Sequence, residues 1–280
     1  VIRGVSVRFS VAQAKVLASI LRDAARVEIL PRFRDPEGIR TRQKSSALDL
    51  VTDADEAAEA HIASALGREF SSAIVIGEES ATRDPSLLRH LESADLAIVI
   101  VPIDGTKNFS AGLPLFGVMA AAVHKGKVIA GVIYDPFSDD WAMGLRGEGA
   151  WLERPDGSSK DLRVSKSPSL HEATGIVSWL FMKEPLRSKV TRNLSRVAAA
   201  VDYRCAAHEY PMIAGGHYDF LLFGALMPWD HAAGCLIHGE AGGYTAKIDG
   251  SIYKPSDLSG GLLCAPDAES WNRLRDAITT

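Results

Sequence analysis

The run Leu96-Ala97-Ile98-Val99-Ile100-Val101 is apolar at every position and then stops at Pro102-Ile103-Asp104-Gly105-Thr106. A half-buried strand alternates apolar with polar residues, so an unbroken apolar run predicts a strand covered on both faces. Such a strand needs elements packed above and below it, which points to mixed α/β architecture with helices layered on sheets. Its end is a strand-to-loop switch that carries an acid, a glycine and a hydroxyl.

The remaining pattern agrees. Val16, Ile20, Ala24 and Val27 recur at helical spacing between Ser10 and Pro31 and predict a helix over 11–29. Further helices are expected at 53–66, 183–200, 206–215, 230–241 and 270–278. Strands are expected at 73–76, 96–101, 142–145, 150–153, 176–178, 201–204 and 220–223. Two more, 116–124 and 128–134, flank the hairpin turn Lys125-Gly126-Lys127. Residues 33–48 are charged and irregular and read as a mobile loop. The turn-rich Pro155-Asp156-Gly157-Ser158-Ser159 suggests a seam between an α+β half, 1–154, and an α/β half, 155–280, packed as one globular unit.

The formal net charge of −4 gives no electrostatic drive toward nucleic acid. Val1–Ser10 lacks a charged stretch followed by an apolar one, so no signal peptide is expected. The apolar runs fall short of the roughly 18 residues of a membrane span. Cys205, Cys235 and Cys264 are odd in number, with no CxxC spacing for zinc; free thiols in a cytoplasmic compartment are the simplest reading.

Glu78, Asp104 and Asp230 each stand where a strand or loop meets a turn. Acids from distant segments can assemble a site for a hard divalent cation, although each alone reads equally as a turn acid or helix cap. Gly105 permits close backbone approach, and free N–H groups starting at Thr106 could cradle an anion. The Thr106 hydroxyl could orient a water through an acid partner, for which Asp55 is a candidate; otherwise Asp55 is a first-turn helix acid.

Together these pieces resemble the inositol monophosphatase-like family of Mg²⁺-dependent, lithium-sensitive phosphatases. They are Lys44-Ser45-Ser46 with Asp49-Leu50-Val51-Thr52-x-x-Asp55, then Ile76-Gly77-Glu78-Glu79-Ser80. Pro102-Ile103-Asp104-Gly105-Thr106-x-Asn108-Phe109 and Trp229-Asp230-x-Ala232-Ala233-Gly234 follow in the family order. The resemblance implies a layered αβαβα fold and hydrolysis of a phosphomonoester by a metal-activated water. It implies two or three Mg²⁺ ions held by Glu78, Asp104, Asp230 and the Ile103 carbonyl. Glu78 would also help activate the water, Thr106 and Asp55 would orient it, and the Gly105 and Thr106 N–H groups would hold phosphate. Asp104, Ala206, Asp230 and the residue at Phe223 would face the substrate, and Lys44 would lie on a loop that closes over the site. The family commonly dimerises, but no residue here marks an interface.

Three departures stand out. Val101 occupies the position of a metal-bridging Asp, which implies fewer or more weakly held ions, unless water ligands compensate. Phe223 replaces an acid that contacts sugar hydroxyls, which points away from inositol phosphate and toward a sugar, histidinol or nucleotide phosphate. Arg204-Cys205 replaces a small pair beside Ala206, so Arg204 either contacts a second anionic group or is surface. His208, His217 and His238 lack ligand spacing and read as packing or surface residues. Two functions follow: a phosphomonoesterase, or an impaired relative that binds a metabolite or regulates, as a few bacterial members of the family do.

Overall fold

The computed structural model describes residues 8–35, 41–46 and 49–280, the side chains of 43–46 and 49 excepted. In chain order its first elements are α1 (Val11–Ala24), β1 (Thr41–Ser46), β2 (Asp49–Thr52), α2 (Asp53–Glu69), β3 (Ile74–Gly77), α3 (Glu78–Arg83) and α4 (His90–Ser93). Next come β4 (Ala97–Asp104), α5 (Thr106–Ser110), β5 (Gly117–His124), β6 (Lys127–Asp135), β7 (Asp140–Leu145), β8 (Gly149–Glu153) and β9 (Ser159–Asp161). The chain continues with β10 (Thr174–Ser178), α6 (Leu186–Asn193), β11 (Ala199–Val201), α7 (Ala206–Ala214) and β12 (Phe220–Phe223). It closes with α8 (Pro228–Glu240), β13 (Tyr244–Lys247), β14 (Leu262–Ala265) and α9 (Ala268–Thr279).

Two sheets organise these elements. The larger has the order β3-β4-β5-β6-β7-β8-β9, parallel only between β3 and β4. The smaller has the order β11-β10-β12-β14-β13, with β10 parallel to both β11 and β12. Strand β4 shows why the molecule is layered. Ile98 and Ile100 pack with Leu17, Leu21, Ala58 and Ile62 of α1 and α2. Val99 and Val101, pointing the other way, pack with Tyr210, Ala233 and Ile237 of α7 and α8. Those helices also bury Leu221 and Phe223 of the smaller sheet. The opposite face of that sheet, Phe220, Leu222 and Leu263, packs against Val190 of α6 and Trp271 and Leu274 of α9. The order of layers is therefore αβαβα.

The first helix starts where its spacing predicts, capped by Ser10 in a reciprocal box with Gln13, but it ends at Ala24; residues 25–29 continue it as a π-turn, and Val27, expected on the packed face, is 56% exposed. Three expectations change. Residues 41–46 form a strand paired with 49–52, so that part of the expected loop is a hairpin. The helix expected over 183–200 is confined to 186–193, and the strand after it is 199–201 rather than 201–204. Its sequence is charged, with a single deeply buried apolar residue, Val190, so little packing holds it longer. Strands β13 and β14 were not expected, because Gly and Ser residues interrupt the apolar pattern around them. After the turn at 155–158, β9 pairs with β8, so the larger sheet runs on to Asp161.

Trp271 is 2% exposed, and its indole N–H donates to the Leu263 carbonyl at 2.9 Å. Trp271→Phe should cost about 1 kcal/mol from the lost bond, and Trp271→Ala about 3–5 kcal/mol from the cavity. Urea unfolding of the two variants checks the order.

Candidate functional site

The ladder between β4 and β5 breaks at the sequence switch. Val101 faces Met119, and Asp104 faces Gly117, so three steps on β4 match two on β5. Pro102 has no N–H for the ladder, and the resulting bulge re-aims the side chains that follow it. Gly105 then takes φ 83°, and a Cβ there would lie 2.7 Å from the Leu115 carbonyl oxygen. Both facts favour glycine.

These residues open on a cleft of about 770 Å³ between the larger sheet and the loops around α7 and α8. Glu78, Ile103, Asp104, Gly105, Thr106 and Asp230 line it. So do Val101, Ala206 and Phe223. Asp55 is not on the cleft wall, yet it reaches the site through Thr106, whose hydroxyl lies 3.1 Å from Asp55 Oδ1 and 2.9 Å from the Ile103 carbonyl. The other Asp55 oxygen accepts from the Thr52 N–H at 2.7 Å and the Thr52 hydroxyl at 2.5 Å. Asp55 is thus both the capping-box acid of α2 and the partner of Thr106. Lys44 lies on β1, but its side chain is outside the described residues.

Other supports escaped the sequence reading. Glu59, 5% exposed, accepts from the Glu79 N–H at 2.7 Å and the Ser80 N–H at 2.8 Å, which fixes the first turn of α3 where Glu78 begins it. A Cβ at Gly77 would overlap that carboxylate. Only this close approach distinguishes Glu59 from any other helical glutamate, and no sequence spacing encodes it. Glu209, fully buried, accepts from the Tyr203 N–H at 3.2 Å, while its Oε2 has no hydrogen-bond partner among the described residues. Burial, with Asp104 and Asp202 nearby, pushes its pKa up to about 8.

Asp104 is turned toward α7. Its Oδ2 accepts from the Ala207 N–H at 2.5 Å and lies 3.3 Å from Cys205 Sγ. Burial raises its pKa against the pull of those donors. His231 also lines the cleft, and burial lowers its pKa to about 4, so the ring is neutral near pH 7. Its Nε2 donates to the Ala225 carbonyl at 2.9 Å, which leaves Nδ1 to accept from Tyr210 at 3.1 Å. Phe223 is 6% exposed and packs on His231, with ring centroids 4.5 Å apart. Leu180, Phe181 and Met227 extend this apolar wall.

Glu78, Asp104, Asp230 and the Ile103 carbonyl put oxygens on the cleft wall, the chemistry of a hard cation such as Mg²⁺. Yet among the described residues no three acid, His or Cys side chains come close enough together to hold a metal ion. Val101 is 1% exposed, inside an apolar cluster with Met119, Phe223 and Trp229, and offers no donor. A bridged, multi-ion centre does not fit these residues as they stand. A single hard cation, sharing its shell with water and substrate, fits their chemistry.

A model of the inositol monophosphatase family matches residues 7–279. The chain belongs to that family. A relative from Pseudomonas aeruginosa named Nus factor SuhB is 33% identical over 230 residues, covering 79% of this chain and 82% of its own. The crystal structure of extragenic suppressor protein suhB from Bartonella henselae superposes with a TM-score of 0.81 at 26% identity, covering 96% of this chain and 99% of that one. A Thermotoga maritima IMPase, at 24% identity and TM-score 0.78, covers 95% of this chain and 99% of that one and shares the fold. Among the described residues no helix is long and apolar enough to cross a membrane.

Two outcomes test this geometry. Glu59→Gln should lower stability by about 1.5–3 kcal/mol, because two backbone donors lose a charged acceptor; urea unfolding measures it. Glu209 has a folded pKa above the 4.5 of the free side chain, so it destabilises the fold increasingly as pH rises from about 4.5 to about 8. Glu209→Gln should therefore gain stability relative to the parent between pH 5 and pH 8. Urea midpoints that differ equally at both pH values would refute it.

Proposed function

We propose that the chain is a phosphomonoesterase for a small phosphate ester, and that Thr106, backed by Asp55, orients the attacking water. The observation that carries this reading is the 3.1 Å contact between Thr106 and Asp55, set in a cleft that Glu78, Asp104 and Asp230 also line. Family membership supports the same chemistry. The Gly105 and Thr106 N–H groups hold the ester phosphate, and Glu78 takes part in activating the water. A divalent cation, when bound, would be held by Glu78, Asp230 and the Ile103 carbonyl, joined by Asp104 if it gives up Ala207, and it supplies charge neutralisation and a more acidic water.

The substrate side of the cleft is apolar. Phe223, Phe181, Leu180 and Met227 cannot pair with sugar hydroxyls, and a site that leaves hydroxyls unpaired discriminates against them. An imidazole or nucleobase phosphate suits this wall better than inositol phosphate. A second reading, a metabolite-binding or regulatory protein with little turnover, is favoured by one residue. Val101 removes a carboxylate from the centre of the site, and the Pseudomonas relative carries the name of a Nus factor rather than of an enzyme.

Phosphate release from a panel of phosphomonoesters, with and without Mg²⁺, separates the two. Val101→Asp should raise Mg²⁺-dependent release at least about tenfold, roughly 1.4 kcal/mol of barrier. Equal activity and equal metal dependence would show that position 101 is not a ligand site. Thr106→Ala should lower kcat more than it raises KM, because the hydroxyl orients water rather than binding substrate. A rise in KM alone would remove Thr106 from the chemistry.

A further inference from the structure

The cleft holds two cations as well as its acids, Arg204 and Lys107, both half-buried on its wall. The Arg204 guanidinium has a fixed but neutral partner: Nη2 donates to Asn108 Oδ1 at 3.1 Å. Asn108 is 1% exposed and spends its own amide N–H groups on the Leu115 carbonyl, 3.0 Å, and the Tyr203 carbonyl, 2.8 Å. Its oxygen is thereby locked toward Arg204. The nearby Asp202 takes the Arg204 backbone N–H at 2.9 Å, not the guanidinium. Among the described residues neither Arg204 nor Lys107 forms an ion pair with a carboxylate. A half-buried guanidinium with one neutral acceptor keeps most of its donors for something else.

The backbone adds to this. Arg204 sits at φ 54°, in the left-handed region that a branched or long side chain adopts at a cost. Glycine would relieve that strain and remove the cation together. Meanwhile Val101 lines the same wall at the position where the resemblance expects a carboxylate. One negative charge is absent and one positive charge is present, both shifting the cleft toward anions.

We infer that Arg204 and Lys107 form a phosphate-binding subsite of this cleft that holds the anion without a divalent cation. The inference rests on the reading of the cleft as a phosphate-ester site and gives it a consequence: protein cations supply charge that would otherwise come from metal. Guanidinium meets phosphate oxygens through paired, charge-assisted bonds, and Lys107 adds a second positive charge from α5. Glu78 and Asp230 oppose the anion from the same cleft, so the subsite depends on both cations being present.

Calorimetric titration of the full chain with inorganic phosphate in EDTA tests it. The parent should bind; Arg204→Gln should weaken binding at least about tenfold, Lys107→Gln by about threefold, and Arg204→Lys less than Arg204→Gln. Val101→Asp should weaken binding in EDTA and regain it with Mg²⁺. Circular dichroism confirms the fold of each variant, and Lys107→Gln carries the test should a change at Arg204 prevent folding. Binding that appears only with Mg²⁺, or that survives removal of these cations, overturns the inference. Phosphate bound in EDTA with no ester hydrolysed under Mg²⁺ keeps the subsite and ends the phosphomonoesterase reading. Hydrolysis under Mg²⁺ with no binding in EDTA does the reverse.

Discussion

One buried carboxylate ties the start of α2 to the end of β4 on the cleft wall. Among the described residues, Asp55 accepts two hydrogen bonds from Thr52 at the start of α2 and one from Thr106 beyond the end of β4. At 1% exposure it has no bulk water to replace those donors. The helix start and the strand end are therefore fixed to one another through a single side chain. Glu59, one helical turn further along α2, does the same for the first turn of α3. The two acids lie four residues apart, on neighbouring positions of one helix face. Helix α2 is thus a jig that registers the ends of β3 and β4 on the same wall.

Much of this was legible in the sequence. The apolar run before Asp104 announced a strand with no free face, and the structure covers it on both sides. The separated acids and the Gly-Thr step stood out where strands or loops meet turns, and Asp55, a first-turn acid of α2, was a candidate partner for Thr106, which it contacts. What was hidden depends on packing between distant segments. Glu59 and Glu209 look like ordinary helix glutamates until burial turns one into a cap and leaves the other half-satisfied. Phe223 was legible as a departure, but its tilted contact with the His231 ring was not, because the two belong to different elements. The pairing of 41–46 with 49–52 escaped because the first strand has no apolar residue to show an alternation.

Four features of the cleft bear on its electrostatics. Val101, at the position where the resemblance expects a carboxylate, packs inside an apolar cluster. Asp104 gives one oxygen to the Ala207 N–H. Glu209 has a pKa pushed up to about 8, so at neutral pH it holds its proton for most of the time. Arg204 is retained at a strained backbone position. Val101 and a protonated Glu209 add no negative charge, and Arg204 adds a positive one. The cleft thus carries acids and cations on one wall, beside the Thr106–Asp55 contact.

The helical layer of α7 and α8 has a further consequence for how the molecule comes apart. Tyr210, Ala233 and Ile237 pack with Val99 and Val101 of one sheet, and the same cluster includes Leu221 and Phe223 of the other. Neither sheet can shed its inner cover without stripping the other. The two sheets are therefore one cooperative unit, and amide exchange from their central strands reports a shared global opening rather than two separate ones.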